Sequence, residues 1–482
     1  MNAADVVLAA GADEAPALIT ETETVGYGAL RRFVGRAGNG LAAAGVRPGE
    51  RVVLVLDDRP LLVAAYLGAI RIGAVPVAVN TRWSEDEIGF AIEDTGARLA
   101  LVEPHYGAAR HAAGGRALIA TDGPFDDRPD TLKAWDAEPD DPALMIYTSG
   151  STGRPKAAVH RHRAVRIAAR TMAEVFGLGA KDRVLITSKM FFAYALGHGL
   201  LGALKLGAAV VLDTRWPKPA EVAELAARTG TTAFYSVPTF YRALLDVNPA
   251  AEGLGTVRRY VSAGERLPPG LFARWREATG AAIADGIGTS ETLFMFLANP
   301  PEAPRPGSAG VPASGAEVRL KTGDGDNDGE TGVLWVRLES LAQGYWRRPA
   351  ETARAFRDGW FRTGDLFRRD EDGFWHHQGR ADDMIRVAGQ WLDPGEVEDC
   401  ALATGACTEA ALVGVPDADG LNRVVLFVAG ATDANAAERI ADNLARRLAP
   451  YKRPAEIRIV AALPRTATGK VQRHVLRDTG TG

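Results

Sequence analysis

The sequence predicts an α/β protein in two parts: a large N-terminal region of helix-covered mixed sheets with a strand-rich final stretch, and a small C-terminal α+β domain. Three observations lead there. Short apolar runs alternate with helical stretches up to about residue 305; strands and Gly-rich turns take over beyond it; and a charged, turn-prone segment, GRADD at 379–383, precedes about 100 residues with their own α+β pattern. RVVLVLDD (51–58) reads as a buried strand, LLVAAYLGAIRIG (61–73) as a helix and VPVAVN (75–80) as the next strand. The same rhythm recurs at RVLITSK (183–189), AAVVLDT (208–214), TAFYSVP (232–238) and VRRYVSAG (257–264). Alternation of this kind places parallel strands under covering helices. AEVRLKTGDGDNDGETGVLWVRL (316–338) reads as a hairpin, and the expected division is 1–381 and 382–482.

A chain of 482 residues is long enough for two to three domains. Its net charge of −4 lacks the basic excess that nucleic acid or an anionic membrane attracts. No apolar run approaches the roughly 20 residues that span a bilayer. The start, MNAADVVLAAGADEAP, has no basic segment of the secretory kind. The expectation is a cytoplasmic protein with neither nucleic acid nor membrane as partner. Two cysteines, Cys400 and Cys407, cannot build a disulfide framework or a four-ligand zinc site, and both are expected to be free, buried thiols. Asp324, Asp326, Asp328 and Gly329 open like a calcium loop, but the twelfth position is Trp335 and strands flank it, so a solvated turn is the better reading.

The stretch that carries most chemistry follows the apolar run ALMIY: Thr148, Ser149, Gly150, Ser151, Thr152, Gly153, Arg154, Pro155 and Lys156. Hydroxyls, glycines and a lysine packed this closely offer a nest of donors to phosphate oxygens. It is not a Walker loop, because Lys156 follows a proline and no Ser or Thr comes after it. Further along stand Ser262-Ala263-Gly264-Glu265, the run Asp285-Gly286-Ile287-Gly288-Thr289-Ser290-Glu291, WFRTGD ending at Asp365, Gly379-Arg380-Ala381-Asp382-Asp383, and Pro464-Arg465-Thr466-Ala467-Thr468-Gly469-Lys470.

In order and spacing these six motifs resemble those of the adenylate-forming superfamily of acyl-CoA synthetases, peptide-synthetase adenylation domains and luciferases, over essentially the whole chain. The resemblance implies an ATP-dependent ligase that joins a carboxylic acid to AMP, releases pyrophosphate, and passes the acyl group to coenzyme A. It makes 148–153 and Lys156 the phosphate loop, Gly264 and Glu265 the adenine side, and Asp285, Gly286, Ile287 and Thr289 further nucleotide contacts. Glu291 becomes the Mg²⁺ ligand, and Thr148 or Thr289 positions phosphate or metal-bound water. Asp365 grips the ribose diol, Arg380 contacts phosphate or ribose, or pairs with a nearby acid, and Lys470 is the catalytic cation. Asp382 is the implied hinge of a mobile C-terminal domain, and Gly389 lets the pantetheine arm of CoA pass. Each role suits its chemistry: uniting two anions needs cations and donors aimed at the developing charge, and Mg²⁺ favours oxygen ligands.

Met190 to His198, MFFAYALGH, resembles the acyl-pocket helix of benzoate-type CoA ligases, as does DGIGTSETLFMFLAN at 285–299. By that likeness Ala193, Tyr194, Gly288, Phe294 and Met295 line the acyl pocket, which suits an aromatic acid or another bulky cyclic one. Ala195, His198 and Phe294 depart from the residues frequent there. The alternative is a stand-alone enzyme that loads its acid onto a carrier protein. No carrier is expected in this chain, since 12 residues follow Lys470.

Overall fold

The computed structural model describes residues 1–120, 125–148, 154–248, 252–322, 325–326, 330–381, 385–387, 390–392, 394–416, 422–465 and 471–479. The chain forms two compact units. The first holds Met1–Val318, Trp335–Arg362 and Gly373–Trp375, and the second Arg319–Leu334, Thr363–Asp372 and His376–Gly482.

In the first unit the apolar runs become strands of two mixed sheets. One has seven strands, in the order Gly344–Tyr345, Lys156–Arg161, Pro142–Thr148, Val75–Ala78, Arg51–Val55, Leu99–Val102, Ala117–Ile119. Val52, Val53, Leu54 and Val55 are all buried, the continuous apolar run expected of a parallel strand covered on both faces. The helix Glu85–Thr95 is marked off by its own residues: Ser84 and Glu87 form a capping box, and Gly96 ends the helix at φ 58°.

The other sheet has nine strands, ordered Val311–Pro312, Met295–Ala298, Ile283–Gly288, Arg259–Ser262, Ala233–Ser236, Arg183–Ile186, Ala209–Val211, Pro16–Ile19, Thr24–Gly26. Its middle is parallel, and antiparallel partners finish both edges. The helices Pro219–Thr229, Pro238–Val247 and Pro269–Thr279 each start on a proline, whose missing N–H costs nothing at that position. Tyr241 and Tyr260 meet the buried Trp275 edge-on at 4.8 and 5.1 Å, in a core that also takes Phe234 and Leu244.

The second unit holds a three-stranded sheet in which Asn422–Ala429 lies between Glu409–Pro416, antiparallel, and Glu456–Val460, parallel. Val397, Ala401, Leu412, Leu426, Ile440 and Leu444 form a core cluster there. This unit takes in stretches before residue 382. Composition could not show that, because the division falls inside the strands Glu317–Thr322, Thr331–Arg337 and Trp360–Arg369. Both cysteines are free, but only Cys407 is buried. Cys400 is half-buried, because the helix Pro394–Leu402 turns Val397 and Ala401 inward instead. At the calcium-like segment, Gly325 and Asp326 pair antiparallel with Thr322 and Lys321, while Asp324, Asp328 and Gly329 lie outside the described residues. Among the described residues no helix is long and apolar enough to cross a membrane.

Candidate active site

Open parallel sheets bind ligands beyond the carboxyl ends of their strands, and the nine-stranded sheet gathers its polar residues there. Ser236 and Ser262 end adjacent strands, and Ser262 is paired in register with Asp285 on the next. Burial pushes the Asp285 carboxyl up to about 8, against the opposing pull of the Ser262 hydroxyl, the N–H groups of Leu267 and Gly286, and the charge of Arg266. Its Oδ1 and the Thr289 hydroxyl are buried without a hydrogen bond among the described residues. Such orphaned groups cost about 1–3 kcal/mol each, and a polar ligand arriving at this edge would satisfy them. Gly264 turns the chain here at φ 86°. Glu265 accepts the Thr239 N–H and hydroxyl with its two carboxylate oxygens, both at 3.1 Å. It braces the start of the helix Pro238–Val247, where the helix dipole favours an acid.

The candidate phosphate loop joins two antiparallel strands, with Thr148 opposite Lys156; residues 149–153 lie outside the described residues. The Lys156 ammonium sits 5.5 Å from the centre of the Tyr345 ring, and the Tyr345 hydroxyl donates to Glu291 Oε1 at 2.8 Å. Glu291 is thereby tied to the base of the hairpin at Lys156. Its mount is fixed from behind. The buried His160 reaches the Ser290 carbonyl at 2.8 Å and the Ser340 carbonyl at 2.9 Å, and the Ala342 N–H donates to the Glu291 carbonyl. Neither His160 nor Tyr345 stood out in the sequence, since what matters is which carbonyls and acids they meet after folding. Glu291 and the unpartnered Thr289 hydroxyl are hard oxygen donors that fit Mg²⁺, an ion that takes one or two carboxylates and completes its shell with water and substrate phosphate.

Four of the five residues assigned to the acyl pocket come together, and Ala193 directly precedes Tyr194 in the chain. Gly288 pairs with Met295 across two antiparallel strands, and a Cβ on Gly288 would lie 2.9 Å from the Phe294 carbonyl, so only glycine fits. Phe294 packs edge-on against His198 at 5.6 Å, and Tyr194 meets the same imidazole at 6.2 Å. Ala193 and Tyr194 are half-buried, while Phe294 and Met295 are buried. The Tyr194 hydroxyl donates to the Val261 carbonyl at 3.2 Å, which anchors this wall to the strand that ends in Ser262. The preceding Leu293 is held at φ 64°, a strained setting for leucine of the kind that gathers at functional sites.

The start of this segment is held by a pair that sequence reading missed. Lys189 and Asp58 stand 3.6 Å apart with side chains 8% exposed each, and the Met190 N–H donates to Asp58. Burial raises the Asp58 carboxyl to about 6, with Lys189 and the Met190 N–H opposing the shift. A carboxyl whose folded pKa lies above its unfolded one favours folding most below about pH 4 and loses that contribution as pH rises through about 6. Lys189→Met strands the carboxylate. Urea unfolding should show a loss of about 3–5 kcal/mol at pH 8 and a smaller loss at pH 5, where Asp58 is mostly protonated. An equal loss at both pH values would show that the charge pair does not hold this segment.

In the second unit Asp365 is 6% exposed. Arg380 donates to its Oδ1 at 3.2 Å and to the Thr363 carbonyl at 3.1 Å, and His377 Nε2 lies 3.5 Å from the same oxygen. Of the roles weighed for Arg380, the structure displays the pairing with an acid. A guanidinium on one carboxylate oxygen fixes the orientation of that group. Asp382, Gly389 and Lys470 lie outside the described residues. A separate cleft of about 470 Å³ in the first unit, lined by Arg161, Arg337, Glu339, Gln343, Arg357 and Trp360, contains none of the predicted site residues.

The sheet edge thus carries buried oxygens, at Asp285 and Thr289, that are unpartnered among the described residues, and similarity to known proteins gives the class to which the chain belongs. The chain belongs to the family of AMP-binding enzymes, whose model matches residues 7–346, and the model of that family's C-terminal domain matches residues 396–470. The 3-hydroxybenzoate–CoA ligase of Aromatoleum sp. (strain CIB) is 43% identical over 505 residues, covering 99% of this chain and 97% of that protein. The benzoate–CoA ligase of Thauera aromatica is 36% identical over 511 residues, covering 99% and 96%. Among solved structures, an anthranilate CoA ligase in complex with anthranoyl-AMP matches with a TM-score of 0.94 at 31% identity, over 100% of this chain and 97% of that one.

Proposed function

We propose that the protein is an AMP-forming carboxylate–CoA ligase that acts on an aromatic acid. The observation that carries this reading is the convergence of Tyr194, Phe294 and Met295 on one imidazole beside the nucleotide edge; the similarity to hydroxybenzoate and benzoate CoA ligases supports it. A carboxylate oxygen of the acid bonds to the α-phosphorus of ATP, and the bond to pyrophosphate breaks. The CoA sulfur then bonds to the acyl carbon, and AMP leaves with the shared electron pair. Thr148 and Lys156 hold phosphate. Glu291, with the unpartnered Thr289 hydroxyl nearby, would hold Mg²⁺, which when bound would supply charge neutralisation at the phosphates. Asp365, oriented by Arg380, accepts from the ribose hydroxyls. Lys470 acts in the first half-reaction. Rotation about Asp382 then brings the segment around Gly389 to the pantetheine arm, since a few φ/ψ changes at an element terminus are enough to move a rigid body.

A pyrophosphate-release screen over about fifty carboxylic acids, followed by free CoA or a phosphopantetheinylated carrier as acceptor, tests the reading. Release that depends on an aryl acid, with thioester formed on free CoA, is the expected result. Release without acid, or transfer to the carrier alone, would overturn it. Within the pocket, Ala193→Leu should cost roughly 1–3 kcal/mol of transition-state binding, about 5- to 150-fold in kcat/KM, for a tightly fitting acid. The smallest acids should suffer least, and KM for ATP should hold. An unchanged ranking of aryl acids would make residue 193 ordinary core.

A further inference from the structure

The pocket helix is wound as a π-helix over Ala195–Gly202, a form that appears mostly as single turns at functional sites. From the half-buried Ala193 and Tyr194 it leads one turn inward to His198, which is 1% exposed. His198 Nε2 accepts the Met295 N–H at 3.1 Å. A ring nitrogen that accepts carries no proton, so in the neutral ring the proton is on Nδ1. Burial keeps the ring neutral by pushing its pKa down to about 4. Nδ1 is itself buried and finds no acceptor among the described residues.

Its neighbours explain why. The rings of Tyr194, Tyr235 and Phe294 surround the imidazole at 5.6–6.2 Å, and the Tyr194 hydroxyl is directed to backbone carbonyls. Roughly 90% of buried polar groups in native proteins are paired, so a lone N–H among aromatic rings calls for an acceptor brought from outside. Tyr194 and Phe294 are also the walls assigned to the acid. On the aromatic-acid reading above, we propose that His198 is a specificity-determining residue whose Nδ1–H donates to a hydroxyl oxygen on the substrate ring, so that the enzyme selects hydroxylated aryl acids. Unsubstituted benzoate leaves the donor unpaired, and a site built to hydrogen-bond a substrate hydroxyl discriminates strongly against the analogue that lacks it.

The test measures kcat/KM for pyrophosphate release with the full chain. Its acids are benzoate, the three monohydroxybenzoates and the three methylbenzoates, which match the hydroxyl in size without offering an acceptor. Wild type should favour at least one hydroxybenzoate over benzoate and over the matching methylbenzoate by about 10-fold or more. His198→Leu should bring that ratio to within about 3-fold, mainly by slowing the hydroxylated acid. His198→Asn places an amide N–H where Nδ1–H stood and should keep most of the preference. Both variants lose the acceptor for the Met295 N–H, so the difference between them isolates the donor. A ratio that is the same in wild type and His198→Leu would overturn the assignment. So would a wild type that turns over benzoate and hydroxybenzoates alike, an outcome that needs no folded variant and leaves the aromatic-acid reading standing. Turnover of no aryl acid at all would overturn that reading, and this assignment with it.

Discussion

Glu291→Gln should lower acid-dependent pyrophosphate release by about 10²-fold or more while the protein stays folded. The substitution keeps size and shape, and an amide oxygen can still accept the Tyr345 hydroxyl that now donates to Oε1 at 2.8 Å. Only the charge goes. Glu291 is 6% exposed, and its backbone is held by the Ala342 N–H, while His160 grips the carbonyls on either side of the fold at Ser290 and Ser340. Groups mounted this rigidly pay little reorganisation when charge develops, which is why one of them can matter so much. The loss should be steepest at low Mg²⁺ and partly recovered at high Mg²⁺, with little change in thermal unfolding. Activity within about 3-fold of wild type at limiting Mg²⁺ would reduce Glu291 to a structural partner of Tyr345.

The contrast between Glu291 and Glu265 shows what the sequence could and could not disclose. Both stand in motifs that resemble nucleotide-site loops. Glu291 is oriented by Tyr345, 54 residues away in sequence, whose ring also meets Lys156, whereas Glu265 uses both oxygens to cap a helix through Thr239. A motif fixes residue types on a loop but not the direction in which each side chain points. The fold was more legible, because buried parallel strands leave continuous apolar runs: 51–58, 183–189, 232–238 and 257–264 each contain a strand. The proximity of residues proposed to line the acyl pocket was legible for a related reason. Gly288 and Met295 are partners across a short antiparallel pair, and Ala193, Tyr194 and His198 are neighbours on one helix, so local spacing sets most of their geometry. The pair Asp58–Lys189 spans two distant parts of the chain, as do the bonds from His160. Contacts of that kind depend on sheet order, which periodicity does not encode. The division into compact units was hidden for the same reason, since it cuts through strands whose apolar pattern continues unbroken.

Lys470→Ala should separate the two half-reactions. In the first, a carboxylate approaches a triphosphate, and negative charge builds on the oxygens around the α-phosphorus as the pentacoordinate state forms. A cation that reaches both groups is worth about 10²-fold or more in rate there, and alanine removes it. In the second, the nucleophile is a thiol and the leaving group is AMP; the triphosphate has gone, and the like-charge approach has gone with it. The same lysine then has little left to neutralise. Acid-dependent pyrophosphate release by Lys470→Ala should therefore fall by about 10²-fold or more. Thioester formation from supplied aroyl-AMP and CoA should stay within about 10-fold of wild type. Both rates are read from one preparation, so a damaged protein would depress them together. Equal loss in the two assays would remove the distinction and leave Lys470 as a residue needed for folding or for nucleotide affinity alone.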